Sequence, residues 1–507
     1  MSVFSDLLNG VLTIDRKADV IDYQGRWYNW GELADTIEAI RALLRQLGLG
    51  ENARVGVMVR NRPSPFAAIL TAVSGDACMV SINPLFPDER LLHDIAGLKL
   101  PVVIADQADL ERPGVLDAFK AAGTAVIQLP GILVGASLRP GFEAVGPDTV
   151  REQPDVIIEM LTSGTTGAPK RIPLKRAAFE KSFAGALSYE KDRTEGDAAK
   201  LRPGTMILTN PMTHIGGLWA ALSCMAGGRK ACLLEKFSVQ NWRDAIVRHQ
   251  PKVASAVPAG LRMILDANLP KEDLASLIAL RTGAAPVDHA VTTEFMERYG
   301  LPVLQNYGAT EFSGAVAGWR LKEFHTFWKE KIGSVGRFQP GVTGRVVDPD
   351  SGVELPHGEV GVLEMKAAQF GNNGEWLRTT DRATIDAEGF LFIKGRADLA
   401  IIRGGFKVHP DDVNKTYEAH PAIREAVTIG VADRRLGAVP MMAVMLKPDA
   451  ATPTDAELAE YGRQYLLPYQ VPVRFLIVDD VPRTPSLKPA LLAVRELFED
   501  DPAIAAA

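Results

Sequence analysis

The sequence of 507 residues contains only three cysteines, Cys78, Cys224 and Cys232. Three cysteines are too few for a disulfide framework, and Cys224 and Cys232 have no neighbouring histidine at the spacing of a metal site. Cysteine usage of this kind is typical of a reducing compartment, so we expect a cytoplasmic protein.

The sequence also lacks a basic excess and a long apolar run. Lysine and arginine number 56 against 62 acidic residues, which gives a net charge of -6. A general nucleic-acid binder usually shows the opposite balance. No run reaches the roughly 18 apolar residues of a membrane span, and the N-terminal stretch lacks the apolar core of a signal peptide. We therefore expect no nucleic-acid partner and no integral membrane segment, whereas peripheral membrane contact and a homodimer stay open.

What remains is the composition of a globular enzyme, with 47% apolar and 23% charged residues. Short apolar runs such as RVGVMVRN, residues 54–61, alternate with stretches of helical spacing. One such stretch covers residues 29–48, with Asn29 as the predicted N-cap and Gly48 as the predicted end. Strands that alternate with helices through most of the chain predict parallel sheets covered by helices.

The pattern changes near Gly333, where residues 333–367 become rich in glycine, proline and short β runs. This predicts a β-rich subdomain with hairpins. Further along, helical and strand signals alternate again, including a predicted helix over 410–426. We predict an α/β fold with a large N-terminal domain of doubly wound sheets, residues 1–396, which includes the β-rich subdomain at about 333–396. A small α+β C-terminal domain, residues 397–507, completes the prediction.

The stretch LTSGTTGAPK, residues 161–170, follows a predicted strand and combines hydroxyl side chains, glycines and Lys170. Glycines let consecutive N–H groups converge on an anion, and hydroxyl and ammonium groups add donors for phosphate oxygens. A Walker A loop would read GxxxxGK[ST], with more residues between its glycines and no proline before its lysine. The stretch therefore indicates a phosphate-binding loop of another kind.

Five motifs in a fixed order resemble those of the adenylate-forming superfamily, which includes acyl-CoA synthetases, luciferases and nonribosomal adenylation domains. They are TSGTTGAPK from Thr162, QNYGATEFSG from Gln305, WLRTTD from Trp376, GRADLAIIRGGFKVHPDDV from Gly395 and PRTPSLK from Pro482. The resemblance covers essentially the whole chain. It implies an ATP-dependent carboxylate–CoA ligase. A carboxylate attacks the α-phosphate of ATP, pyrophosphate leaves, and the thiol of coenzyme A then displaces AMP from the acyl-adenylate.

The resemblance also implies roles for individual residues in the first half-reaction. Lys488 would offset negative charge on the carboxylate and the α-phosphate, and Glu311 would be a ligand of Mg²⁺. Tyr307 would face adenine, while Asp381 and Arg396 would bind the ribose. The predicted catalytic residues are Lys488, Thr310, Glu311 and His214. The predicted ATP- and AMP-binding residues are Thr162, Ser163, Gly164, Thr165, Thr166, Gly167, Lys170, Gly283, Ala284, Ala285, Pro286, Asn306, Tyr307, Gly308, Ala309, Thr310, Asp381, Arg396 and Lys488.

An acyl pocket and a route for the thiol are implied in the same way. His214, in NPMTHIGGL, is predicted to contact the acyl group, although a lone histidine near an apolar run is more often a packed core residue. The predicted acyl-pocket residues are His214, Gly216, Gly217, Val257, Phe312 and Gly314. The predicted coenzyme A residues are Gly404, Gly405 and Lys407. Asp398 is the predicted hinge about which a mobile C-terminal domain rotates between the half-reactions.

Four positions depart from the superfamily pattern. Arg171 and Ala438 stand in place of a common glycine and a common acid, and Thr380 and Leu487 stand in place of motif glycines. None of these changes removes a charged catalytic group. Thr380 and Leu487 leave open the alternative of a family member that mainly transfers the acyl group of an acyl-adenylate to coenzyme A. A non-catalytic acyl or nucleotide sensor is the remaining alternative.

Overall fold

The computed structural model describes residues 3–161, 170–187, 199–285, 287, 289–370, 374–484 and 487–499. Its helices are α1 Val3–Ile14, α2 Trp30–Gln46, α3 Pro63–Ser74, α4 Asp88–Leu98, α5 Gln107–Leu110, α6 Val115–Ala121, α7 Arg176–Leu187, α8 Ile215–Ala226, α9 Val239–His249, α10 Pro258–Asp266, α11 His289–Tyr299, α12 Leu321–Phe327, α13 Pro410–Glu418, α14 Asp455–Tyr465 and α15 Leu491–Glu499. Short 3-10 turns cover Lys271–Leu274, Thr310–Phe312 and Ala368–Phe370.

The strands are β1 Asp19–Tyr23, β2 Arg26–Asn29, β3 Arg54–Met58, β4 Cys78–Ile82, β5 Val102–Asp106, β6 Ala125–Leu129, β7 Ser137–Leu138, β8 Val156–Leu161, β9 Arg171–Lys175, β10 Thr205–Leu208, β11 Lys230–Leu233, β12 Val253–Ser255, β13 Ala279–Thr282, β14 Val303–Ala309, β15 Gly314–Gly318, β16 Arg337–Phe338, β17 Val342–Val347, β18 Gly361–Ala367, β19 Leu377–Ile385, β20 Leu391–Arg396, β21 Ile401–Arg403, β22 Phe406–Val408, β23 Ile423–Asp433, β24 Gly437–Leu446 and β25 Phe475–Ile477.

A seven-stranded sheet occupies the first part of the chain, in the order β7-β6-β5-β3-β4-β8-β9. Its inner strands pair in parallel, and every residue of β3, β4 and β5 is buried. Alternate residues of β5 enter two different apolar clusters, one with Val102 and Ile104 and the other with Val103 and Ala105. Both faces of this sheet are therefore covered, which explains the unbroken apolar runs in its strands.

Two further sheets complete the region before Val342. One has the order β10-β11-β1-β2, and the other has the order β12-β13-β14-β15-β16. In the second, β12, β13 and β14 are parallel, and β14 pairs antiparallel with β15. Ligands of open α/β sheets bind outside the carboxyl ends of parallel strands, so the ends of β13 and β14 are the natural place to look for a site.

The remaining strands form two sheets that do not share a strand. β17-β18-β19-β20 is antiparallel, as the glycine- and proline-rich pattern predicted. The last sheet has the order β22-β21-β24-β23, with β25 beside β24, and it packs with α13, α14 and α15. The predicted α/β fold with a large and a small part is confirmed. The change of sheet falls between Arg396 and Ile401, around the predicted hinge, while the domain boundaries themselves stay predictions.

Local sequence signals explain most element ends. Asn29 caps α2 with a complete capping box, because its side chain accepts from the N–H of Glu32 and the Glu32 carboxylate accepts from the N–H of Asn29. The predicted helix over 410–426 is wrong beyond Glu418, where α13 ends. Pro421 lacks the N–H that a continuing helix needs, and β23 begins at Ile423 instead.

All three cysteines are buried. In the fold, Cys232 lies beside Asp22 and His249, a neighbourhood that sequence spacing did not reveal. Oδ2 of Asp22 contacts Nε2 of His249 at 2.7 Å and accepts from Arg248 at 3.1 Å, and its Oδ1 accepts from the N–H of Gly25. These bonds fix the end of α9 on β1. In the described part of the chain, no helix is both long and apolar enough to span a bilayer.

Candidate active site

The carboxyl ends of β13 and β14 open into a cavity of about 1980 Å³. Its walls also include residues of β19 and β20, the start of α8, one face of α10 and the segment around Lys488. All five sequence motifs contribute to the lining, from Lys170 in the first to Lys488 in the last. The cavity therefore lies where the large N-terminal part of the chain meets the C-terminal sheet.

Two glycines let the backbone elements around β14 approach one another closely. A Cβ on Gly283 would lie 2.1 Å from Oδ1 of Asn306, and a Cβ on Gly308 would lie 2.2 Å from the carbonyl oxygen of Gly314. A side chain at Gly308 would force two backbone segments apart, whereas a side chain at Gly283 would first displace the side chain of Asn306. Seven of the residues predicted to bind the nucleotide line this part of the cavity: Gly283, Ala284, Ala285, Asn306, Tyr307, Gly308 and Ala309.

Asp381 lies at the centre of a half-buried polar group. It is paired in register with Arg396 across β19 and β20, and its Oδ2 accepts a hydrogen bond from the phenol of Tyr307. Its backbone N–H donates to Oγ1 of Thr379 at 3.1 Å. Burial raises the pKa of the Asp381 carboxyl, while the Tyr307 hydroxyl and the Arg396 charge act to lower it. Burial, together with the Asp381 charge, also raises the pKa of Tyr307.

Arg396 connects this group to the segment that leads into the C-terminal sheet. Its Nε and Nη2 donate to the two carboxylate oxygens of Asp398 at 2.8 and 2.5 Å, and this pairing raises the pKa of the guanidinium. Its backbone N–H donates to Oδ2 of Asp411 at 3.3 Å, at the start of α13. The predicted ribose ligand and the predicted hinge are therefore directly bonded.

Lys488 lies in a tight turn, and its ammonium interacts electrostatically with Arg396, Asp381 and Glu311. Its N–H donates to Oγ1 of Thr484 at 3.2 Å, and its carbonyl accepts from the N–H of Thr484 at 2.8 Å. Burial and the Arg396 charge lower the pKa of the Lys488 ammonium, whereas the carboxylates of Glu311 and Asp381 act to raise it. The fold thus brings the last motif within electrostatic reach of the second and third motifs.

His214 stands at the N-cap of α8 and also faces the cavity. Burial, followed by the charge of Lys488, lowers the pKa of its imidazole to about 4, so the ring is neutral at neutral pH. Its Nε2 is buried and has no hydrogen-bond partner among the described residues. A satisfied core histidine would have such a partner, because an unsatisfied buried polar atom costs about 1–3 kcal/mol. The geometry favours the ligand-contacting interpretation.

The other predicted acyl-pocket residues divide into two groups. Those that line the cavity are Gly216, Gly217, Val257 and Phe312. Gly314 is not among the lining residues. A Cβ on Gly216 would meet no atom within 4 Å, whereas a Cβ on Gly217 would lie 2.3 Å from the carbonyl oxygen of Pro211. Gly216 therefore leaves open space at the start of α8, and Gly217 allows α8 to pack against the segment before it.

The predicted coenzyme A residues are not part of the cavity lining. Gly404 and Gly405 form the two-residue turn between β21 and β22, with φ values of +58° and +91°. Positive φ at both positions suits a tight hairpin and explains the glycine pair. Neither Gly404, Gly405 nor Lys407 lines the cavity, whereas Asp398 does. In this arrangement, Lys488 and not the glycine turn faces the site.

Thr162, Ser163, Gly164, Thr165, Thr166, Gly167 and Pro286 lie outside the described residues. Lys170, which ends the phosphate-loop motif, lines the cavity. Thr310 and Glu311 line it from the 3-10 turn after β14. The Glu311 carboxylate forms no hydrogen bond or ion pair with any described residue. Mg²⁺ is usually held by one or two carboxylates together with substrate phosphates and water, so an unengaged carboxylate in the same cavity as Lys170 fits that ion.

Comparison with known families decides the membership of the chain. The model of the AMP-binding enzyme family matches residues 13–371, and that of the AMP-binding enzyme C-terminal domain matches residues 412–488. The chain belongs to the AMP-binding enzyme family. This membership confirms the resemblance to adenylate-forming enzymes, because the two matches together cover most of the chain, including the cavity-lining ends of β13 and β14 and Lys488.

Similar proteins within this family act on different acids and acceptors. The fatty acid–[acyl-carrier-protein] ligase ScoC of Streptomyces coeruleorubidus is 27% identical over 504 residues, which cover 95% of this chain and 93% of the relative. The 2-succinylbenzoate–CoA ligase of Bacillus subtilis (strain 168) is 32% identical over 350 residues, which cover 65% of this chain and 66% of the relative. The ATP-bound structure of MatB from Rhodopseudomonas palustris has a TM-score of 0.80 at 23% identity and covers 99% of both chains. The last likeness concerns the fold alone.

Two of the four departures from the family pattern, Arg171 and Leu487, are held by specific contacts in this AMP-binding enzyme. Nη2 of Arg171 contacts both carboxylate oxygens of Asp94 at 3.0 Å, and its Nη1 donates to the carbonyl of Ser81 at 2.8 Å. Arg171 therefore fixes the start of β9 to α4 and β4, immediately after Lys170. Thr380 is an exposed residue of β19 that lies in an irregularity of the pairing with β18, between Arg378 and Arg382, and nothing in the structure explains why glycine is missing there.

Leu487 is different, because it adopts a left-handed conformation with φ of +62° directly before Lys488. A non-glycine residue in this region costs roughly 1–2 kcal/mol. The turn holds it there through a hydrogen bond from the Leu487 N–H to the carbonyl of Thr484 at 2.8 Å and one from Arg483 to the Leu487 carbonyl at 3.3 Å. Ala438 begins the regular part of β24, opposite Ala432, and nothing in the structure explains why an acid is missing there.

Sequence reasoning did not assign several polar residues that line the cavity, among them Arg262, Thr282 and Gln305. Thr282 and Gln305 are paired in register on β13 and β14, and each has one buried side-chain atom without a hydrogen-bond partner among the described residues. Thr282 ends β13 directly before Gly283, and Gln305 is the first residue of the second motif, so both could have been identified from residues that were already recognised. Arg262 lies in the interior of α10, and only its spacing from Pro258 could have placed it on the cavity face.

Proposed function

We propose that this AMP-binding enzyme is an ATP-dependent carboxylate–CoA ligase that forms an acyl-adenylate and then an acyl-CoA thioester. The observation that carries the proposal is the convergence of Lys488, Glu311 and Asp381 on one cavity, where the two carboxylates act on the pKa of the lysine. A lysine, a metal-binding acid and a ribose-binding acid are the charges that adenylate formation needs. We infer a cytoplasmic location from the cysteine usage.

In the first half-reaction, the acid oxygen attacks the α-phosphorus of ATP and the bond to pyrophosphate breaks. The developing charge on the acid and the α-phosphate lies near Lys488, which stabilises it electrostatically without reorganisation. Thr310 donates to the α-phosphate, and Asp381 and Arg396 hold the ribose so that the reacting atoms stay aligned. Mg²⁺, held by Glu311 together with the phosphates, would neutralise charge on the triphosphate.

The second half-reaction needs a different arrangement, because Lys488 occupies the cavity that a thiol must reach. We propose that the C-terminal domain rotates about Asp398 and replaces Lys488 with the Gly404–Gly405 turn, so that Gly404, Gly405 and Lys407 line the path of the pantetheine arm. The cavity lining includes Lys488 and none of these three residues in the present arrangement, which supports this proposal. The neutral His214 contacts the acyl group in both arrangements.

The acceptor has two candidates with support among relatives. The 2-succinylbenzoate–CoA ligase supports coenzyme A, and the fatty acid–[acyl-carrier-protein] ligase supports a phosphopantetheinyl carrier protein. The stretch RGGFKVHP favours coenzyme A. The left-handed Leu487 supports a second candidate function. In that function the enzyme mainly transfers the acyl group of a preformed acyl-adenylate to coenzyme A, with release of AMP.

The test is ATP–pyrophosphate exchange with a panel of fatty, aromatic and dicarboxylic acids, followed by thioester formation with coenzyme A. We expect acid-dependent exchange and coenzyme A-dependent release of AMP. Thioester formation from supplied acyl-adenylate without exchange would favour the single half-reaction. Failure of both assays would contradict an enzymatic role and leave the sensor interpretation.

A further inference from the structure

One face of α10 lines the cavity between the predicted acyl pocket and the C-terminal sheet. Its lining residues are Pro258, Ala259, Arg262 and Met263, and Val257 precedes them as the N-cap. Residues three and four apart share a helix face, so these side chains project in one direction. The half-buried Arg262 therefore presents its guanidinium to the cavity about one turn beyond Val257.

Arg262 has no hydrogen-bond or ion-pair partner within the described residues, in contrast to the other arginines that line this cavity. Each of those has an acceptor: Arg378 with the Pro349 carbonyl, Arg396 with Asp398, Arg424 with Asp266, Arg483 with Glu425 and Arg495 with the Gly430 carbonyl.

The natural partner of Arg262 is engaged elsewhere. Asp266 lies four residues further along α10, a spacing at which an arginine and an acid commonly pair. Its carboxylate instead binds Arg424 of β23, across the junction with the C-terminal sheet. The same contact that attaches the C-terminal sheet to α10 thus leaves the charge of Arg262 uncompensated.

We propose that Arg262 binds a second anionic group carried by a substrate, separate from the reacting carboxylate and the α-phosphate near Lys488. A partly buried charge without a partner is unfavourable, and the planar guanidinium fork matches a carboxylate or phosphate in two parallel hydrogen bonds. This inference rests on the proposed ligase function and narrows its substrate class.

Two substrates can carry such an oxyanion: a dicarboxylic acid through its second carboxylate, or the thiol acceptor through the phosphate of its pantetheine arm. The present arrangement favours the acid. Lys488 occupies the cavity here, as the proposal requires for the step that uses acid and ATP, and Arg262 is unpaired in this same arrangement.

The experiment compares wild-type enzyme with R262M and R262K in two arms. The first arm measures KM in ATP–pyrophosphate exchange for matched monocarboxylic and dicarboxylic acids, such as hexanoate and adipate, over a range of chain lengths. The second arm measures KM for coenzyme A and for pantetheine, which lacks phosphate. R45M, which removes an exposed arginine paired with Glu38 on α2, is the matched control.

We expect wild type to prefer the best dicarboxylic acid over its monocarboxylic counterpart by about 10- to 100-fold, the range of a hydrogen bond to a charged group. R262M should remove this preference, R262K should restore part of it, and R45M should keep it. A rise in the KM for coenzyme A alone, with pantetheine unaffected, would identify the phosphate as the anion.

If R262M changes neither arm while wild type remains active, the proposal for Arg262 is overturned and the ligase function stands. If wild type shows no exchange with any acid, the proposed ligase function is contradicted, and the proposal for Arg262 needs a test that does not depend on turnover. Calorimetric titration of adipate and of coenzyme A into wild type and R262M then decides the binding claim without turnover. Equal affinities in both proteins would overturn it.

Discussion

The phenol of Tyr307 donates its hydrogen bond directly to Oδ2 of Asp381, so the predicted adenine and ribose contacts form one bonded pair. The two residues belong to different motifs and lie on β14 and β19. Because Tyr307 occupies Oδ2, the bond orients the carboxylate and leaves Oδ1 for a ligand. The hydroxyl also acts to lower the pKa of Asp381, against the raising effect of burial.

Y307F should therefore weaken ATP binding while it keeps the aromatic face. We expect the KM for ATP to rise about tenfold, as for the loss of a hydrogen bond to a charged group. The pKa of Asp381 is raised by burial and should rise further without the hydroxyl. A ribose-binding carboxylate acts in its charged form, so binding is lost as pH falls through that pKa, and the loss should begin at higher pH in Y307F.

Measurement of KM for ATP against pH in both proteins checks this expectation. Y23F is the matched control, because Tyr23 donates to Glu235 at 2.8 Å outside the cavity lining. The control should leave the KM for ATP unchanged. An acid limb that stays at the same pH in Y307F would show that the hydroxyl does not govern Asp381.

L487G should stabilise the turn that carries Lys488. Glycine removes the left-handed cost of roughly 1–2 kcal/mol but gains about 0.4–1 kcal/mol of freedom in the unfolded chain, so we expect a net gain of about 0.5–1 kcal/mol. L487V, with a β-branched side chain at the same φ, should be less stable than wild type. Urea unfolding of the three proteins provides the test. A less stable L487G would mean that the packing of Leu487 outweighs its backbone strain.

D398P should impair the second half-reaction more than the first. Proline fixes φ near −65° and so restricts the rotation that the proposed hinge requires. The substitution also removes the ion pair with Arg396, and D398A serves as the control that removes only this pair. We expect D398A to retain thioester formation and D398P to lose it, with pyrophosphate release largely preserved in both. Undiminished transfer to coenzyme A in D398P would place the hinge elsewhere.

Sequence reasoning succeeded where the signal is local. Three features could be recognised from residues that are close together in the sequence. They are the capping box of Asn29 and Glu32, the buried strand from Arg54 and each of the five motifs. The class of fold and the membership of the family followed from them. The predicted helix over 410–426 was too long, because the prediction did not take account of Pro421, which lacks the N–H that a continuing helix needs.

The rest depends on contacts between distant residues. Arg171 was noted as a departure, but its role as an anchor requires Asp94, which lies 77 residues earlier. The engagement of Asp266 by Arg424, which leaves Arg262 unpaired, spans 158 residues. Gly217 was assigned to the acyl pocket by its motif, yet the carbonyl of Pro211 shows that close packing also requires a glycine there. Such relationships have no signature in a single sequence.

The most direct test of the account is K488A in two separate assays. Lys488 is proposed to stabilise charge only in adenylate formation, so ATP–pyrophosphate exchange should fall by about 10²–10³-fold, the range for loss of one preorganised electrostatic donor. Thioester formation from supplied acyl-adenylate and coenzyme A should stay near the wild-type rate. An equal loss of both activities in K488A would contradict the two-arrangement account.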